Sequence, residues 1–90
     1  MNYEDMLGRL CVLSGPSGFE THVARAAAEL LRQLVDEVYT TRLGSVVGVR
    51  RCGRENAHKL LLDAHLDEIG FMVTGHDEGF LRFAPLGGVD

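Results

Sequence analysis

The chain has 90 residues, enough for one small domain with a modest core, and 46% of them are hydrophobic against 24% charged. With a mean hydropathy of +0.02, that balance reads as a globular chain, neither disordered nor membrane-spanning. The net charge of −4 argues against a nucleic-acid partner, and Arg50, Arg51 and Arg54 read as a solvated surface rather than a phosphate site.

No apolar run reaches the length of a membrane helix, and Met1-Asn2-Tyr3-Glu4-Asp5 is acidic where a signal peptide would be basic. No membrane contact and a cytoplasmic location are therefore expected. Cys11 falls in a helical pattern and Cys52 in a polar stretch, without Cys-x-x-Cys spacing, so two free thiols are expected.

In chain order, Met6, Leu10 and Leu13 recur at helical spacing and predict a short helix near 2–13, with Asn2 as its N-cap. Ser14-Gly15-Pro16-Ser17-Gly18 ends it, since glycine and proline together disfavour continuation. Ser17 and Glu20 have capping-box spacing, and Val23, Ala27, Leu30, Leu31 and Leu34 predict a second helix over about 19–36. Its Ala26-Ala27-Ala28 run permits close approach to a neighbouring layer, while His22 and Arg25 should face solvent. The β-branched runs 37–41 and 46–50 flank Arg42-Leu43-Gly44-Ser45 and predict a hairpin.

Arg51 to Asn56 reads as a polar loop, followed by a third strand over 58–64 whose unbroken Leu60-Leu61-Leu62 suggests burial on both faces. Beyond it, runs 71–76 and 80–84 flank Asp77-Glu78-Gly79, a three-residue hairpin loop with glycine last. Phe71, Met72, Phe80 and Phe83 have the spacing of core or interface residues. Two helices followed by strands predict an α/β or α+β layer, with the helices packed on a small mixed sheet.

Chemistry concentrates in Asp63-Ala64-His65-Leu66-Asp67-Glu68, where one imidazole and three carboxylates follow an apolar run. In an extended segment Asp63, His65 and Asp67 share a face. A neutral ring nitrogen can ligate a metal while a neighbouring carboxylate takes the other ring N–H and fixes the tautomer. His-x-Asp is half of a metal site at most, because a catalytic zinc takes about three protein ligands. The plainer alternative is a pair of surface residues.

Asp63-Ala64-His65-Leu66-Asp67-Glu68-Ile69-Gly70-Phe71-Met72-Val73, with Gly79 to Phe83 and Leu86-Gly87-Gly88-Val89-Asp90 after it, resembles the M42 family of metallo-aminopeptidases. Ser14-Gly15-Pro16-Ser17-Gly18-Phe19-Glu20 and Leu43-Gly44 fall in the family's order, so the likeness runs through the whole chain. Arg42 and Ser45 stand where family members usually carry Asp and Asn.

The resemblance implies a zinc-exopeptidase-like catalytic domain interrupted after His-x-Asp by a β-rich oligomerisation domain. Residues 1–69 would open the catalytic domain and 70–90 would begin the insertion, so the chain is expected to be the N-terminal part of a longer enzyme. His65 matches the histidine that ligates one of two divalent metals, with zinc or cobalt expected, and Asp67 matches the aspartate that orients it. The remaining ligands and the general base are expected beyond residue 90.

The implied activity is removal of N-terminal residues from peptides by metal-activated water, in a homo-oligomer. The 90 residues alone should be inactive and bind metal weakly. Two other readings stay open, another co-catalytic zinc exopeptidase and a non-catalytic oligomerising module.

Overall fold

Asn2 starts helix α1 (Tyr3–Cys11) by accepting the Asp5 N–H on its side-chain oxygen at 2.8 Å, which satisfies one of the unpaired N–H groups of the first turn. The computed structural model describes residues 2–89. After α1 the chain passes through residues 12–20, where Gly18 at φ +88° and a Phe19 N–H to Pro16 carbonyl bond of 2.9 Å form a tight turn. Helix α2 (Thr21–Arg32) follows.

The capping box expected of Ser17 and Glu20 does not form. Glu20 is itself the N-cap position, its side chain caps nothing, and its carboxylate instead takes the Gly18 N–H at 2.7 Å. Both helices are also shorter than the apolar periodicity suggests. Beyond Arg32 the N–H groups of Leu34 and Val35 both bond the Leu31 carbonyl, turning the chain toward the sheet and leaving Leu34 exposed.

Strands β1 (Glu37–Thr40) and β2 (Val46–Val49) pair antiparallel, Glu37 opposite Val49 and Thr40 opposite Val46. The loop between them is closed by Thr41, whose N–H bonds the Ser45 carbonyl at 2.9 Å and whose hydroxyl accepts the Ser45 N–H at 3.1 Å. Gly44 takes φ +92° in this turn. Helix α2 packs on β1 and β2 with α1 alongside. The approach is close at Gly48, where a Cβ would come within 3.2 Å of Val35 and 3.4 Å of Leu31. Val23, Ala28 and Leu30 form the buried core of the described residues, and Ala28 bears out the reading of the alanine run.

Strands β3 (Gly70–Asp77) and β4 (Phe80–Leu86) form a second antiparallel ladder. Its loop has two residues, not three: Asp77 pairs with Phe80, and Glu78 and Gly79 lie between them at φ +47° and +84°. Positive φ at both central residues is the primed turn that suits the twist of a hairpin. The ladder breaks step between Val73 and Gly75, so Thr74 is an extra residue, a β-bulge. Phe71, Val73 and Phe83 share one face, with the Phe71 and Phe83 rings edge to face at 4.9 Å.

The α/β class is therefore observed, with the sheet divided into two separate antiparallel ladders rather than one mixed sheet. Residues 58–64, expected as a third strand, are in no ladder among the described residues, and Leu60, Leu61 and Leu62 are each at least 84% exposed. A strand exists through its partners, and this segment has none in residues 2–89. Strands β3 and β4 likewise pack on no other described element. The Cα radius of gyration is 17.4 Å, against roughly 12 Å for a compact chain of this length, because the hairpin projects from the helical layer.

Candidate functional site

His65 and Asp67 lie on the irregular stretch that runs from the exposed leucines to β3. The His65 ring turns back on its own chain. Its Nδ1 is 2.9 Å from the Asp67 backbone carbonyl oxygen and 3.1 Å from Asp67 Oδ1. Both neighbours are acceptors, so in the neutral ring the proton belongs on Nδ1, which donates to them. Nε2 then carries the free lone pair. The side chain is 87% exposed, so that lone pair meets solvent.

The residues present fit a metal ion in part. A histidine whose Nδ1–H is held by a carboxylate or carbonyl and whose Nε2 is open is the usual form of an imidazole ligand. Among the described residues no group of three or more His, Cys, Asp or Glu converges to hold a metal. His65 can thus supply one ligand. His22, His58 and His76 are exposed and join no such group.

Asp63 and Asp67 line one open groove of about 350 Å³, together with Glu20, Ala27, Leu31 and Ser45. The groove therefore brings the His-x-Asp segment against α2 and the β1–β2 turn. A larger, adjoining cleft of about 450 Å³, which shares Glu20, Leu43 and Gly44 with the first, holds neither His65 nor Asp67, and its Arg25, Arg32, Glu20 and Glu29 mix both charges. The arginines expected to be mere surface remain so: Arg51 pairs with Glu37 at 3.0 Å across exposed strand ends, an arrangement of little energetic consequence.

One residue escaped the sequence reading. Glu68 donates its N–H to the Gly15 carbonyl at 3.0 Å and accepts the Gly15 N–H on Oε1 at 3.2 Å. A parallel bridge joins Pro16 to Glu68 at the same place. The contact spans 53 positions of sequence, so no periodicity signals it.

Residues 44–90 match the family model described as M42 glutamyl aminopeptidase. The chain is 43% identical over 89 residues to FrvX of Escherichia coli, a protein named as a candidate aminopeptidase, covering 98% of this chain and 24% of that one. A lysyl aminopeptidase of Pyrococcus furiosus is 32% identical over 87 residues, covering 94% of this chain and 24% of its own length. A crystal structure from Thermotoga maritima, named an endoglucanase, superposes with a TM-score of 0.81 at 40% identity over 93% of this chain and 27% of that one. The chain thus spans about a quarter of the length of the relatives it matches. With the model match reaching over more than half of its residues, the chain belongs to the M42 glutamyl aminopeptidase family.

Proposed function

We propose that this chain is the N-terminal part of a divalent-metal-dependent aminopeptidase that removes N-terminal residues from peptides. The observation that carries the reading is the His65 ring, with Nδ1 committed to Asp67 and Nε2 free toward solvent, in a chain whose relatives include named aminopeptidases. Bound metal would supply a Lewis acid and an activated water for attack on the peptide carbonyl. Zinc and cobalt both suit an imidazole ligand.

Within that chemistry His65 would hold one metal through Nε2. Asp67 keeps the ring turned and the proton on Nδ1, which strengthens the donor at Nε2. The further ligands and the general base come from residues outside 1–90, a reading supported by relatives about four times as long. Residues 1–69 open the catalytic domain and residues 70–90 begin a β-rich oligomerisation insert. The projection of the β3–β4 hairpin away from the helical layer supports that division.

The test is metal analysis and peptidase assay of the complete enzyme. His65→Ala should lower both metal content and turnover, and Asp67→Asn should cost about 10–100-fold in affinity or activity. A His65→Ala enzyme with full turnover after metal depletion would sink the assignment. Parallel assays on aminoacyl-peptide and glucan substrates address the endoglucanase name of the Thermotoga relative, with hydrolysis of the peptide alone expected.

A further inference from the structure

We propose that Glu68 is a positioning residue, which clamps both backbone groups of Gly15 and so fixes the His65–Asp67 segment and the β3–β4 hairpin against the loop leading into α2. Gly15 is buried, and a buried backbone N–H or C=O left unpaired costs free energy comparable to a lost hydrogen bond. Glu68 satisfies both, the carbonyl through its own N–H and the N–H through its carboxylate. These hydrogen bonds, with the parallel bridge between Pro16 and Glu68, tie the long stretch from Cys52 to Ile69 back to the helical layer.

Steric contacts enforce the same geometry on either side. A Cβ at Gly15 would lie 2.5 Å from Val23 Cγ1, so Gly15 is seated against the core. At Gly70 a Cβ would come 3.2 Å from Pro16 Cβ, so the chain leaves the clamp directly under the proline. Ile69 in turn lies against Gly87, where a Cβ would be 3.3 Å from Ile69 Cγ2. The hairpin has no packing on other described elements, so its direction is set at this junction. His65 is three residues from the anchor, and an extended chain of that length reaches about 10 Å. An anchored Glu68 therefore limits how far the imidazole can wander.

The clamp stands on geometry alone, whereas its consequence for catalysis rests on the peptidase reading. The experiment compares the wild-type chain with Glu68→Ala and Glu68→Gln by NMR, following amide exchange at Gly15 and residual dipolar couplings in α2 and the hairpin. Glu68 is exposed and outside the Val23–Ala28–Leu30 core, so both variants should keep α2, and its unchanged helical shifts verify this. Glu68→Ala should speed exchange at Gly15 about 10–100-fold, the scale of one hydrogen bond to a charged group. The couplings of α2 and the hairpin, expected to fit one alignment in the wild type, should then need two. Glu68→Gln should restore both, because its amide oxygen can accept the same N–H.

A Glu68→Ala chain with unchanged exchange and a single alignment would overturn the clamp, as would a wild type needing two. In the complete enzyme, Glu68→Ala should lower kcat at least about tenfold with KM little changed, since misplacement by an ångström can cost about a hundredfold. An unaltered kcat there would overturn the positioning role. If the wild-type enzyme shows no peptidase turnover, the functional reading fails while the exchange and coupling data still decide the clamp.

Discussion

Replacing Gly15 by alanine should destabilise the helical layer, and the structure sets the size of the effect. The added Cβ would sit 2.5 Å from Val23 Cγ1 and 3.2 Å from Val23 Cβ, where carbon atoms prefer about 3.5–4.0 Å. Val23 cannot easily give way. It is 5% exposed, lies in α2, and as a β-branched residue in a helix it has one strongly favoured rotamer. Overpacking of this kind costs about 1–3 kcal/mol. The reduced freedom of alanine in the unfolded chain returns about 0.4–1 kcal/mol, leaving a net loss of roughly 1–2 kcal/mol. With a urea dependence of about 1 kcal/mol per molar, the midpoint followed by helical circular dichroism should fall by about 1–2 M. Gly8→Ala is the control, because a Cβ there meets nothing within 4 Å. It should raise stability by about 0.5–1 kcal/mol, the penalty of glycine inside a helix. A Gly15→Ala chain as stable as the wild type would refute the packing argument.

Three further outcomes are expected. Calorimetric titration of this chain with zinc should show no sub-micromolar site, since one imidazole leaves most of the coordination sphere to water; tight one-to-one binding abolished by His65→Ala would contradict this. Sedimentation equilibrium at micromolar concentration should reveal self-association through the hairpin, because Phe71, Val73, Leu81 and Phe83 are each more than half exposed beside unpaired strand edges. Phe83→Asp should abolish it, and a strictly monomeric wild type would refute it. Glu78→Gly should raise the melting temperature of the hairpin, relieving a non-glycine residue at φ +47° whose strain is on the order of 1 kcal/mol; an unchanged or lower value would show that the turn is not strained.

The helices and both hairpins were legible because their signals are local. Asn2 caps α1 as its side-chain chemistry predicts, and the α2 stripe buries Val23 and Leu30. Leu60-Leu61-Leu62 misled for the opposite reason: the run records an affinity for apolar partners, and those partners are not among residues 2–89. The capping box failed because Glu20 had a nearer donor, the Gly18 N–H held out by a left-handed glycine. The pairing of the His65 ring with Asp67 was legible from two-residue spacing, though the ring reaches the Asp67 main-chain carbonyl as well as the carboxylate expected. Glu68 was not legible, since its partner is a backbone group 53 positions away.

Plain alternation through β3 would place Asp77 on the side of Phe71 and Val73, but the odd residue at Thr74 moves everything after it to the opposite side. Asp77 consequently meets Arg82 at 3.0 Å, and His76, opposite Leu81, joins the phenylalanine side. A ribbon exposed on both faces has little to stop one strand sliding past the other. Here a slip by one position would have to carry the bulge with it and break the two-residue turn as well. The hairpin therefore holds its alignment by a mismatch in strand length, and keeps its apolar side intact before anything covers it.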